Sequence, residues 1–163
     1  MATLQYSTPS LLAVATGILG SAWASGTIAS MSLVGMPTAM SAPNDSVYVW
    51  HGIFTRGMNV MPKVAILIAA AYSYGAYDAR NRGENWKGYL AAGGAVLSII
   101  PFTLLFIGGT NATLISAFKG ATVLSQGRAS ELIGKWGALN LGRSLFPLVG
   151  AIIGLSTFLG NLS

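Results

Sequence analysis

Four stretches of this chain are each long and apolar enough to cross a bilayer, and they leave little over for anything else. Spanning the hydrocarbon core takes about 20 mostly apolar residues in a helix. The stretches run from about Leu11 to Met36, Val47 to Tyr77, Gly88 to Gly109 and Leu132 to Gly160. Between them lie Pro37–Ser46, Asp78–Lys87 and Thr110–Glu131. Hydrocarbon leaves no partner for an unpaired backbone N–H or C=O, so apolar runs of this length become helices. Short connections make consecutive helices antiparallel neighbours. The predicted fold is therefore all-α, a single multi-pass integral membrane domain over residues 1–163 built as a four-helix up-down bundle.

Composition agrees with a chain whose solvent is partly lipid. Hydrophobic residues make up 53% and charged residues only 8%, against about a quarter charged in a soluble domain. In the first stretch Gly17, Ser21 and Ser25 recur every four positions, a surface suited to close helix packing. Ala22-Trp23-Ala24 imitates a signal-peptide cleavage site, but residues 1–10 carry no Lys or Arg, so the stretch reads as a retained helix. Cysteine is absent, which excludes disulfides, iron–sulfur clusters and thiolate metal sites. One histidine and four carboxylates are too few for a metal centre of three or four converging ligands, so no metal is expected. The nine Lys and Arg, net +5, are scattered over loops and helix ends. They point to anionic lipid or an anionic ligand and not to nucleic acid. Arg80, Arg82 and Lys87 outnumber Lys119 and Arg128, which places both termini and the second connection in the cytoplasm.

The polar residues inside the spans gather toward one leaflet. His51, Thr55, Arg56, Asn59 and Lys63 occupy one broad side of the second helix. Trp136, Asn140, Arg143 and Pro147 form a narrow stripe on the fourth, spaced by four, three and four. Thr103, Thr110 and Asn111 lie on one side of the third, toward the end that reaches the same leaflet. This convergence predicts a polar pocket within the bundle. His51 follows Trp50 near a helix start, where an interfacial anchor is an equal reading. Asn59 and Asn140 also suit interhelical hydrogen bonding. Arg56 and Arg143 lie two to three turns inside their helices, where an uncompensated cation is costly. No Asp or Glu falls within the expected spans. The missing counter-charge suggests a ligand that brings negative charge, or develops it during reaction.

Several short motifs then occur in one order: Pro101-Phe102-Thr103, Thr110-Asn111-Ala112-Thr113-Leu114, Trp136-Gly137-Ala138-Leu139-Asn140-Leu141-Gly142-Arg143, and Pro147-Leu148-Val149-Gly150. Together they resemble the fungal anthrone oxygenase family, whose pattern is Pro-Phe-Thr in the third helix, Thr-Asn-x-x-Leu after it, and Trp-x-x-x-Asn-x-x-Arg in the fourth. The likeness extends more loosely through Gly57 and Pro62 to the small-residue first helix. One departure is Gly108-Gly109, where relatives often carry a bulkier residue followed by Pro.

The resemblance implies oxidation of a polyketide anthrone to an anthraquinone by molecular oxygen as co-substrate, with no metal or flavin, in an endomembrane of a fungal cell. An anthrone tautomerises to a phenol-like anthrol whose anion can pass an electron to oxygen unaided. The protein then has to deprotonate, orient and stabilise charge. His51 is the expected base, and Arg56 and Arg143 the cations holding phenolate or reduced oxygen. Asn59, Thr103, Asn111 and Asn140 are expected to bind substrate, and Trp136 to offer a face for the flat rings. The other class of function is a small-molecule or lipid carrier using the same polar residues. An inverted repeat and a coupling carboxylate would mark a transporter, and the chain has neither. A homo-oligomer is compatible with the sequence.

Overall fold

A computed structural model describes residues 6–163. Among these residues the chain is helical with no strand. It forms α1 (Thr8–Met40), α2 (Ser46–Asn81), α3 (Lys87–Phe118) and α4 (Gln126–Gly160), of 33, 36, 32 and 35 residues, each long and apolar enough to cross a membrane. The four expected helices are all present, and each runs past its expected bounds. The largest difference is at α3, expected to stop at Gly109 but continuing to Phe118. Gly108-Gly109 reads as a terminator in a soluble helix, whereas apolar membrane helices accommodate glycine. Thr110 and Asn111 are thus held inside a helix and not in a loop. The longer spans also take in two carboxylates at their ends. Asp78 pairs with Arg82, and Glu131 pairs with Arg128 at 2.7 Å.

Proline shapes the ladders. Pro37 follows a π-helical turn over Met31–Gly35 in α1, and Pro101 precedes a second over Thr103–Ile107 in α3. Pro62 and Pro147 sit inside α2 and α4. A proline removes one N–H and clashes with the carbonyl four residues back. A π-helical turn carries one extra residue through a helix without ending it.

Segments of all four helices enter each of two compact units. The first holds the described residues up to Ser25 with Pro62–Ile99 and Leu145–Ser163, and the second holds Gly26–Met61 with Ile100–Ser144. The first unit is organised on Tyr72, which is fully buried. Its hydroxyl donates to the Gly150 carbonyl at 3.0 Å, with the Ser21 hydroxyl 3.4 Å away. Tyr72 shares one buried apolar cluster with Val14, Ile68, Tyr89, Ala92 and Val96. Gly17 leaves room for its ring, since a Cβ there would come within 2.7 Å of Tyr72 Cε1. Gly150 is tighter still, because the obstacle includes backbone: a Cβ would lie 2.9 Å from the Ala92 carbonyl oxygen and 2.8 Å from Val96 Cγ2. Gly150→Ala is therefore expected to destabilise by about 1–3 kcal/mol, the range for overpacking. Thermal melting in detergent checks it, and an unchanged melting temperature would mean α3 and α4 do not approach this closely.

The connection between α2 and α3 ties down both outer segments of this unit. Arg82 pairs with Asp78 and, at 2.8 Å, with Glu84, and its guanidinium lies 4.1 Å from the centre of the Tyr6 ring. The Glu84 hydrogen bond pushes the Arg82 pKa above its ordinary value. The Tyr6 and Tyr89 hydroxyls are 3.2 Å apart, and the Tyr6 ring meets Phe158 edge-on at 5.3 Å. Asn161 accepts from the Asn85 N–H at 3.1 Å and donates back to the Asn85 carbonyl at 3.2 Å.

Candidate active site

The second unit carries the polar stripe of α4. Spacings of four and three put Trp136, Asn140 and Arg143 on one helix face. Asn140 is completely buried and uses its whole amide. Nδ2 donates to the Ile28 carbonyl at 3.0 Å and to Ser32 Oγ at 2.9 Å. Oδ1 accepts from Arg143 Nη2 at 2.5 Å. Arg143 Nη1 donates to Thr103 Oγ1 at 2.9 Å. Arg143 Nε is buried with no partner. Ser32 lies in the first π-helical turn and Thr103 opens the second, so both underwound turns supply oxygen to this cluster.

Electrostatically the cluster is incomplete. Among the described residues the ion pairs are those of Arg82 and Arg128. The Arg143 guanidinium is held by two neutral oxygens, neither of which cancels its charge. Such an arrangement suits an anion that arrives or forms beside it, because a fixed cation in a low-dielectric setting needs no reorganisation at that moment.

Beside the cluster lies an aromatic group on the same unit. Trp136 is buried and its indole N–H donates to Asn111 Oδ1 at 2.8 Å. Trp50 meets Trp136 edge-on, with centroids 6.1 Å apart and an interplanar angle of 86°. It stacks on Phe54 at 5.0 Å and 12°. The His51 ring stacks on Phe118 at 3.6 Å and 5°, which fixes the imidazole plane. Among the described residues no three His, Cys, Asp or Glu side chains group as metal ligands.

The structure thus gathers Thr103, Asn140 and Arg143 into one hydrogen-bonded cluster, pairs Asn111 with Trp136, and sets His51 against Phe118. It does not bring Arg56 or Asn59 to them. Both lie on the outer surface, and Arg56 Nη1 folds back on the Gly52 carbonyl at 3.1 Å. The covered side of α2 in this unit is Trp50, Ile53, Phe54, Gly57 and Met61, an apolar set at helical spacing that turns Arg56 and Asn59 outward. In the other direction, the sequence reading missed Ser32 and the buried state of Trp50.

Residues 50–153 match the family model for anthrone oxygenase. The chain belongs to the anthrone oxygenase family. The matched span includes Trp50, His51, Thr103, Asn111, Trp136, Asn140 and Arg143, and leaves out only the α1 partners of the cluster. This family member is 32% identical to an anthrone oxygenase of Cryptosporiopsis sp. over 145 residues, covering 87% of this chain and 83% of the relative. It is 34% identical to a monooxygenase of Dothistroma septosporum, covering 80% and 74% of the two chains. With the noranthrone monooxygenase of Aspergillus flavus the identity is 31%, covering 85% and 69%. No solved structure matches the chain.

Proposed function

We infer that the chain oxidises an aromatic polyketide anthrone to the anthraquinone with molecular oxygen, within a membrane and without a resident metal or organic cofactor. The observation that carries this is Arg143, a partly buried cation with neutral partners and a buried, unpartnered Nε, on the same unit as Trp50 and Trp136. The names of the relatives support the substrate class.

In the overall reaction the anthrone CH₂ and one O₂ become C=O and one H₂O. A base removes one proton from the CH₂ or from the anthrol hydroxyl. The resulting anion gives one electron to O₂, and the carbon radical and superoxide then join. The hydroperoxide formed at that carbon loses its remaining hydrogen and OH⁻ as water, leaving the quinone carbonyl. One oxygen atom stays in the product and the other leaves as water. Arg143 stabilises the anthrolate oxygen and the reduced oxygen species. His51 is the base, its plane set by Phe118. Seven residues separate Trp136 from Arg143, roughly 10 Å of helix rise, the scale of a three-ring body with its central-ring oxygen toward the guanidinium and one terminal ring toward the indoles. The reading extends to an endomembrane of a fungal cell, with the α2–α3 connection in the cytoplasm.

Detergent-solubilised protein, treated with chelator and dialysed, should consume one O₂ per quinone formed. With ¹⁸O₂ it should place one labelled atom in the product. Saturable anthrone binding without product would make the chain a carrier instead. His51→Ala should lower turnover by about 10²-fold or more, as expected on losing a general base, with unchanged expression. Equal activity in that variant would leave His51 as an aromatic filler beside Phe118.

A further inference from the structure

Trp50 has a donor that the described protein does not use. The side chain is fully buried, and its Nε1 has no hydrogen-bond partner. Indole is a donor only, and a buried Trp N–H usually finds an acceptor. The contrast with Trp136 in the same cluster is direct, since that indole is satisfied by Asn111 at 2.8 Å. Trp50 is also held rigidly, stacked on Phe54 and edge-on to Trp136, so its N–H direction is set before any ligand arrives.

The second unit therefore has two buried, unpartnered side-chain nitrogens, Trp50 Nε1 and Arg143 Nε. Both donate and neither accepts. They stand at opposite ends of the stripe, because Trp50 touches Trp136 and Arg143 lies seven residues further along α4. A ligand that satisfies both brings an oxygen at each end of a flat apolar body.

We propose that Trp50 is a substrate-binding residue whose N–H donates to an oxygen substituent on a terminal ring of the polycyclic ketone, the end remote from Arg143. This rests on the anthrone reading and adds a determinant of which anthrones are accepted. Arg143 meets the oxygen at which charge develops, and Trp50 meets a ring hydroxyl that takes no part in the chemistry. An anthrone without ring hydroxyls leaves the indole unmet, and a hydroxylated one satisfies it.

Trp50→Phe keeps an aromatic filler and removes only the N–H and part of the ring. With a hydroxylated anthrone the variant should show KM raised about tenfold, the scale of one lost hydrogen bond. With unsubstituted anthrone, KM should match that of wild type. The melting temperature should change little, relief of the unmet donor offsetting the small cavity left by the lost part of the ring. A KM change of the same size for both substrates, or for neither, overturns the assignment. So does a lowered melting temperature with both activities lost, which makes Trp50 a packing residue. If wild-type protein consumes no oxygen with either anthrone, the oxygenase reading falls, and a binding measurement then decides Trp50 separately. A hydroxylated anthraquinone that binds wild type and Trp50→Phe with equal Kd overturns the proposal, and weaker binding by the variant upholds it.

Discussion

Arg143→Met is expected to abolish oxygen-consuming turnover and to lower the melting temperature in detergent. The loss of turnover follows from removing the cation beside a developing anion, an effect on the order of 10²–10³-fold. The loss of stability follows from the partners. On sequence alone a partly buried arginine without a carboxylate is a cost, and an apolar replacement is expected to be at least as stable. The structure reverses that sign. Arg143 Nη2 is the donor to Asn140 Oδ1 at 2.5 Å, and Asn140 is completely buried. Methionine leaves that oxygen without its donor, at about 1–3 kcal/mol. Arg143→Lys should be poorly active, because one ammonium cannot reproduce the planar fork that reaches Asn140 and Thr103 together. Melting curves and oxygen uptake on the same preparations decide both points. A Met variant that melts above wild type would mean the hydrogen bonds add nothing. One that keeps its turnover would remove Arg143 from the chemistry.

Asn140→Leu should be the most destabilising single change in the second unit. It keeps the volume of a fully buried side chain and deletes three hydrogen bonds. Arg143 is then left with Thr103 as its hydrogen-bond partner, two of its three nitrogens unmet. Stranding a buried charged group costs about 3 kcal/mol or more. The informative variant is the double replacement, Asn140→Leu with Arg143→Met. It strands neither the guanidinium nor the amide oxygen, so its stability should recover well above the sum of the two single losses, by a coupling of about 1–3 kcal/mol. It should remain inactive. Strict additivity in melting would show that the two side chains do not bond to each other.

The helices and the α4 stripe could be read from the sequence because each rests on one periodicity. Apolar runs longer than a bilayer is thick have one outcome, and spacings of four and three put Trp136, Asn140 and Arg143 on one face. The reading ran short where a residue's direction depends on a neighbouring helix. The rule that polar groups in a span face the bundle points Arg56 and Asn59 inward. Yet the adjacent set Trp50, Ile53, Phe54, Gly57 and Met61 is the more apolar face and takes the interior. Trp50 beside His51 looks like an interfacial pair, and only packing against Phe54 and Trp136 shows that it is buried. Ser32 carries no signal of its own among the small residues of α1. Its place beside Asn140 depends on a π-helical turn, which no periodicity in the sequence announces.

The contacts around Tyr6 bear on how the chain closes. Three joins between consecutive helices are peptide: residues 41–45, 82–86 and 119–125. A fourth join, from α4 back to α1, is made without a covalent bond. Tyr6 leans on Phe158, and the same two segments are pinned to one connection through Arg82 and Asn85. In the first unit the segments at both outer ends are thus tied to the α2–α3 connection by side-chain contacts alone. A change at Arg82, or one that moves the Asn85 backbone, would therefore loosen two helices whose own sequences it leaves untouched.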